Sequence, residues 1–302
     1  MPAISIILPV YNGIKYIEQS VNSVLQQQFT DFEFLIVDDC SGDGCWEYLQ
    51  GIEDKRLLLY RNEKNKGLFY NLNFLIEKSS GPIIKIWTQD DVMYLDCIKE
   101  VVAFHQRHAE IGFSYTDRDY INADGAVINT VRQDRTPEIV STALHSQIAF
   151  ITGSIAGNIA NVAINKSILD EVGVFNERMK ISGDFEMWVR LAKNHPIGFI
   201  KKRLLQLRNH KGQLSANEQY LIYHLKEDIE AYRILLEYLP MVQQTEGRKL
   251  LRNNKFIFYY TLMLKAFFKG QIKTGVRFFK LLSGFDNFFI LTGCYIRNKV
   301  LR

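Results

Sequence analysis

Across its 302 residues the sequence holds no run of about 20 consecutive apolar residues, so no segment reads as a membrane-spanning helix. No Gly-x-Gly-x-x-Gly follows the first strand pattern and no Gly-Lys-Ser/Thr loop occurs, which removes the dinucleotide-binding and P-loop NTPase signatures. Cysteine is scarce. Cys40, Cys45, Cys97 and Cys294 show no metal-ligand spacing and suggest no disulfide framework; a reducing cytoplasm suits them. Internal repeats and low-complexity linkers are absent, and the opening Met-Pro-Ala-Ile-Ser-Ile-Ile-Leu-Pro-Val reads as a first strand, without the basic start of a signal peptide.

What is present is an ordinary globular composition with an unusual load of aromatics, 20 Phe and 15 Tyr. The length suits two domains, or one large domain with an appendage. The formal net charge of +4 conceals an asymmetry: from Glu246 to Arg302 there are twelve Lys/Arg against two acids. The first 245 residues are therefore mildly acidic and the tail strongly basic.

The chain opens with strand and helix patterns in alternation. Ile4–Val10 predicts a buried strand, stopped by Asn12-Gly13, and Ile14 to Gln28 follows helical spacing with Asn12 as a candidate cap. Strands are expected at 34–37 and 57–61, with helices near 46–51, 68–78 and 94–108. Alternation at this interval points to a parallel sheet with crossover helices. Beyond it, Asn122-Ala123-Asp124-Gly125 between two apolar runs signals a hairpin, so antiparallel strands extend the sheet. Residues 137–160 follow no clear period, and the Gly-Ser/Gly-Asn texture of 153–158 suggests a loop near a site. Asn165–Val172 predicts a short helix closed by Gly173. Asp184 heads another helix, a strand follows at 197–207, and from Tyr220 onward the pattern is helical.

Two acidic pairs stand at the ends of buried strands, Asp38-Asp39 and Asp90-Asp91. Either pair alone also suits a helix cap with an acidic first turn. Two acidic strand ends in one sheet, however, converge on one crevice, where α/β sheets bind their ligands. Carboxylates repel phosphate, so an acidic crevice that handles a nucleotide diphosphate requires a divalent cation between them. Asp39 alternatively accepts from a base N–H or a ribose hydroxyl.

These residues carry a resemblance. Ile6-Ile7-Leu8-Pro9-Val10-Tyr11-Asn12-Gly13, Phe34 through Gly44, Lys66-Gly67, Thr88-Gln89-Asp90-Asp91, Val172 through Glu177, Gly183 through Trp188 and Arg208 through Ser215 occur in order over roughly residues 3–215. The chain resembles the family 2 inverting glycosyltransferases with the GT-A fold. That implies an α/β domain over 1–215, a Rossmann-like nucleotide-binding half plus a mixed or antiparallel acceptor half, followed by a helical appendage over 216–302. It also implies a donor and an acceptor: a nucleotide-sugar, UDP-linked in the commoner case, and a hydroxyl of a glycan or lipid-linked carrier in bacterial surface polysaccharide synthesis, such as O-antigen or capsule.

The resemblance implies roles residue by residue. Asp39 would bind the uracil or ribose, with Pro9 and Tyr11 packing on the base and Lys66, Gly67 and Asp90 beside the nucleotide. Asp91 first, and Asp90 second, would hold Mg²⁺ or Mn²⁺ against the diphosphate, joined by His210, while Arg208 would neutralise phosphate charge. Asp184 would be the general base that takes the acceptor's proton. Plainer readings stand beside these: Asp184 as an N-cap, His210 as a surface histidine, Asp43 as a turn or cap residue, 153–158 as a structural loop. The sequence departs from the commoner pattern at Thr88, where many relatives carry an acid, at Gly183 before the base, and at Asn176 where Asp is usual.

The tail has its own pattern. Phe256–Leu264 and Phe288–Ile296 are apolar, and between them Lys265, Lys269, Lys273, Arg277 and Lys280 recur at helical intervals beside Phe267, Phe268, Phe278 and Phe279. This suits peripheral contact with an anionic membrane at the inner face of the cell membrane. The alternative is a helical subdomain packed on the catalytic domain or on a second copy of the chain. Nucleic acid is not expected as a partner, because no binding motif accompanies the charge. Two other readings of the whole remain open: a catalytically inactive relative serving as a membrane-bound assembly subunit, and a nucleotidyltransferase.

Overall fold

The computed structural model describes residues 1–130, 135–210 and 220–299. In chain order the elements are β1 (Ile4–Val10), α1 (Ile14–Leu25), β2 (Phe32–Asp38), α2 (Cys45–Gln50), β3 (Leu57–Arg61), α3 (Leu68–Lys78), β4 (Ile83–Ile86), β5 (Val92–Met93), α4 (Cys97–Arg107), β6 (Phe113–Ile121) and β7 (Val127–Thr130). There follow β8 (Ile139–Val140), α5 (Thr142–Thr152), β9 (Val162–Asn165), α6 (Leu169–Val172), α7 (Gly183–Asn194) and β10 (Ile197–Arg208). Five helices close the chain: α8 (Leu221–Glu237), α9 (Met241–Asn253), α10 (Lys255–Phe268), α11 (Ile272–Phe285) and α12 (Phe288–Lys299).

The chain divides into two compact units. One comprises 1–141, 156–180 and 194–213; the other 142–155, 181–193 and 214–302. Two short stretches that the sequence groups with the first domain thus associate with the C-terminal helices.

The first unit is built on a mixed sheet in the order β3-β2-β1-β4-β9-β6-β10-β5, with β7 added to β6 and β8 to β10. Strands β3, β2, β1 and β4 are parallel, each reached by a crossover helix, as the alternating pattern requires. Strand β9 then runs antiparallel to both β4 and β6, which opens the second half. The expected hairpin is present: β6 and β7 are antiparallel, and Asn122 N–H donates to Ala126 carbonyl across the turn. Central strands are buried on both faces, so they read as continuous apolar runs; Ile4, Ile6, Ile7 and Leu8 are all inaccessible.

One residue in that core is charged. Lys85 in β4 is fully buried, and its ammonium donates to the carbonyls of Ile86, Ala160 and Val162. Three donors meet three acceptors, which makes its burial tolerable. Burial still pushes its pKa down to about 8.

The second unit is helical, with a core of Phe150, Phe185, Tyr232, Phe256, Phe285 and the leucines around them. Edge-to-face contacts link Tyr232 to Phe185 and Phe256, and Phe256 to Phe285. The aromatic excess of the tail is largely this core. Among the described residues no helix is long and apolar enough to cross a membrane.

Candidate functional site

Strand β1 lies between β2 and β4, so the loops leaving all three carboxyl ends are neighbours. Side chains and backbone lace them together. Asn12 N–H donates to Ser41 Oγ (3.0 Å), Gly42 N–H to Asn12 Oδ1 (3.0 Å) and Asp39 N–H to the Val10 carbonyl (2.8 Å). The amide of Gln89 clamps Tyr11, accepting from its N–H at 2.9 Å and donating to its carbonyl at 3.1 Å. Asn12 and Cys40, in the loops after β1 and β2, both take positive φ, 49° and 65°. Such backbone in non-glycine residues persists only where surrounding bonds over-determine it.

Asn12 does not cap α1 as its position suggests. Asp43 does so instead: its carboxylate accepts Ile14 N–H (2.9 Å) at the start of α1 and Cys45 N–H (3.2 Å) at the start of α2. Burial works against this charge, but those donors hold its pKa below the ordinary carboxylate value.

Asp39 is 2% exposed and organises a loop. Its Oδ1 accepts from Asn62 Nδ2 and Lys66 N–H, both at 2.8 Å, and its Oδ2 from Gly67 N–H at 2.9 Å. Asn62 also donates to Asn71, which donates back to the Gly67 carbonyl. Three of the roughly four acceptor positions of a carboxylate are thereby used. Lys66 and Gly67 are thus brought to Asp39 through their backbone, and Gly67, at φ 90°, occupies the left-handed region that favours glycine. Tyr11 is exposed beside this crevice and Pro9 is half-buried in β1. Sequence reasoning missed Asn62, Asn71 and Gln89, whose partners lie up to 78 residues away.

Asp90 and Asp91 separate in role. Asp91 is buried, its Oδ1 accepting Arg208 N–H at 2.7 Å and its Oδ2 accepting the Thr88 hydroxyl. Burial, then the neighbouring Asp90 charge, push its pKa up to about 7. Asp90 instead faces His210, whose Nε2 lies 2.9 Å from Asp90 Oδ2; both side chains are partly open to solvent. Asp91 is thus bonded inside the protein through both oxygens, while Asp90 and His210 form the pair that reaches solvent. The Thr88 hydroxyl is what satisfies the buried Oδ2 of Asp91.

Arg208 also differs from expectation. Its guanidinium is buried and donates to the carbonyls of Asp90 (2.8 Å), Asn122 (3.1 Å) and Ala123 (3.3 Å), and to Gln19 Oε1 (2.5 Å). It stacks 4.6 Å over the Tyr16 ring, which also contacts the His210 ring. An arginine spent in this way fixes the loop ends and is not presented to phosphate. Of the closing motif, Lys211–Ser215 lies outside the described residues.

A divalent ion fits this site only with help. Asp90 supplies a hard oxygen and His210 a borderline nitrogen, a donor pair that suits Mn²⁺ better than Mg²⁺. Among the described residues no group of three or more His, Cys, Asp or Glu is placed to hold a metal. Magnesium-type sites of this kind draw their remaining ligands from water and substrate phosphates.

Asp184 belongs to the second unit, at the start of α7 as its position in the sequence predicts. It is half-buried. Burial raises its pKa to about 6, the charges of Asp228 and Glu227 add to this, and bonds from backbone N–H groups oppose it. A carboxylate with that value is suited to accepting a proton near neutral pH.

A family model described as glycosyl transferase family 2 matches residues 5–164, and the chain belongs to that family. Its fold is of the GT-A type, with added C-terminal helices. An uncharacterized glycosyltransferase of Rickettsia felis is 26% identical over 262 residues, covering 84% of this chain and 43% of that protein. The Escherichia coli protein WfaP, named as a UDP-Glc:alpha-D-GlcNAc-diphosphoundecaprenol beta-1,3-glucosyltransferase, is 27% identical over 225 residues, 72% of this chain and 82% of its own. The crystal structure of S. aureus TarS 1-349 in complex with UDP-GlcNAc shares the fold with a TM-score of 0.66 at 21% identity, over 82% of this chain and 70% of that one. The chain spans less than half the length of the first curated relatives it matches.

Proposed function

We propose that the chain transfers a sugar from a UDP-sugar to a hydroxyl of a lipid-linked or glycan acceptor, with inversion, in the assembly of a bacterial surface polysaccharide. The observation that carries the reading is the Asp39-centred loop at the end of β2 beside the Asp90–His210 pair at the end of β4. UDP-Glc in the name of WfaP and UDP-GlcNAc bound to TarS support the donor class, and the diphosphoundecaprenol in WfaP's name supports the acceptor class.

In this reading the nucleoside sits against Pro9, Tyr11 and the loop that Asp39 holds, whose Lys66 and Gly67 backbone is fixed before donor arrives. Asp90 and His210 would hold Mg²⁺ or Mn²⁺, which supplies Lewis-acid charge against the departing diphosphate. Asp91 and Arg208 keep those ligands in place. Asp184 takes the proton of the acceptor hydroxyl as its oxygen attacks the anomeric carbon, so one bond forms as the other breaks and the configuration inverts.

Calorimetry with UDP in the presence and absence of Mn²⁺ tests the reading, followed by a panel of UDP-sugars. Metal-dependent UDP binding is expected, and Asp90→Ala should abolish the metal dependence while leaving the thermal midpoint close to that of the parent. No metal-dependent binding of UDP would sink the proposal. Asp91→Ala should instead unfold the protein several degrees earlier, because a buried N–H and a hydroxyl lose their acceptor.

A further inference from the structure

The second unit places a cluster of ionisable groups directly behind the chain that enters α7. Glu227 and Asp228 are consecutive on α8, and His224 stands one turn earlier. Glu227 is 4% exposed, and its Oε2 accepts two successive backbone donors, Ile181 N–H at 2.9 Å and Ser182 N–H at 2.8 Å. These are the last amides before the helix that begins at Gly183. A carboxylate on them favours both the unpaired donors and the positive end of the helix. Asp228 accepts the Tyr259 hydroxyl at 2.7 Å. The Ser182 hydroxyl oxygen lies 3.4 Å from His224 Nδ1.

We infer that Glu227 is a positioning residue for the Asp184 carboxylate: it fixes the backbone of Ile181 and Ser182, two residues ahead of the base, and Asp228, next to it on α8, adds a second negative charge to the same surroundings. The inference rests on the reading of Asp184 as the general base. It assigns to α8 a share in the reaction, separate from its packing in the helical core.

The charges matter as well as the bonds. Asp184 is faced by the two negative groups Glu227 and Asp228, while Lys255, His224 and Tyr259 surround Asp228 from α10 and α8. Burial raises the Asp228 pKa, the Tyr259 hydroxyl, Lys255 and His224 oppose it, and ionised Asp228 in turn disfavours ionised Asp184. Removing either acid should therefore let Asp184 ionise at lower pH. Charge alone would move that titration and leave kcat above its acid limb unchanged, whereas lost positioning lowers kcat there as well.

The test uses the full chain and two readouts. Carboxyl ¹³C NMR with labelled aspartate gives the Asp184 titration directly, its resonance assigned by Asp184→Asn, and requires no turnover. Glu227→Gln and Asp228→Asn should each move the midpoint down by about half a unit or more. UDP release from the UDP-sugar selected by the panel gives the second readout. The acid limb of kcat should move down with the NMR midpoint, and Glu227→Ala should lower kcat about tenfold with the donor KM within about twofold.

An unmoved Asp184 midpoint in both Glu227→Gln and Asp228→Asn overturns the inference, as does a kcat within twofold of the parent in folded Glu227→Ala. If Glu227→Ala fails to fold, the isosteric Gln and Asn variants decide. Full transfer by Asp184→Asn would overturn the base assignment itself, whereas a dead Asp184→Asn with unmoved titrations overturns only the role of α8.

Discussion

In the proposed reaction Asp184 would trade stability for chemistry. Its carboxyl is held at about 6, above its ordinary value, so the folded state prefers it protonated. The stability this lends is complete below the unfolded value and is lost as pH rises through about 6. At pH 7 to 8 the ionised group costs on the order of 1–3 kcal/mol. Asp184→Asn should thus raise the thermal midpoint at pH 8 while abolishing transfer and preserving UDP binding. For the parent, kcat should fall as pH drops through about 6, where the base takes up its proton. A variant that lost transfer and stability together would argue that Asp184 is only a helix cap. Residue identity was legible here because aspartate at a helix start is a local pattern. The division of labour between Asp90 and Asp91 was not legible. Both lie in the connection between β4 and β5, and only the placement of Arg208 and His210, more than 100 residues on, shows which carboxylate faces solvent.

At the scale of elements, the parallel half follows from its own periodicity. The boundaries of β1, β3 and α3 coincide with the apolar runs that predict them. Helix α5 escaped because its pattern is inverted: His145 and Ser146 are buried while Ile151 is 44% exposed. Lys85 sat unnoticed inside an apolar run because its acceptors Ala160 and Val162 come from a distant turn and strand. The loops between elements depend on bonds of the same distant kind. Asp43 closes the N-termini of α1 and α2 together, so Asp43→Ala should cost about 1–2 kcal/mol, seen as a lower urea midpoint. Asp43→Asn, which keeps acceptor oxygen but not charge, should lose less. An unchanged midpoint in the Ala variant would show that neither cap contributes.

For the molecule as a whole, the charge asymmetry asks for a partner. The basic tail does not remain an unstructured arm; it folds into the end of α9 and α10 to α12, and α11 sorts its residues by face. Gly275, Phe278, Leu282 and Phe285 are buried. On the outside Ile272, Val276 and Phe279 are exposed at helical intervals, and Lys273, Arg277 and Lys280 run beside them one residue on. Phe268 and Phe289 are 89% and 86% exposed. An apolar stripe alone would suit a second copy of the chain, but a row of cations along it is unfavourable against its own image. It is favourable against anionic lipid, at about 1 kcal/mol per cation near the surface. We therefore expect the full chain to co-sediment with phosphatidylglycerol-containing vesicles and not with phosphatidylcholine vesicles, and to be released by salt. Replacing Lys273, Arg277 and Lys280 by Gln should weaken binding on the order of 100-fold, following the loss of three such contributions. Phe279→Ser with Ile272→Ser should weaken it further, since buried apolar area adds to the electrostatic attraction. Binding that is indifferent to lipid charge, or a dimer that these substitutions dissolve, would assign the face to a protein partner instead.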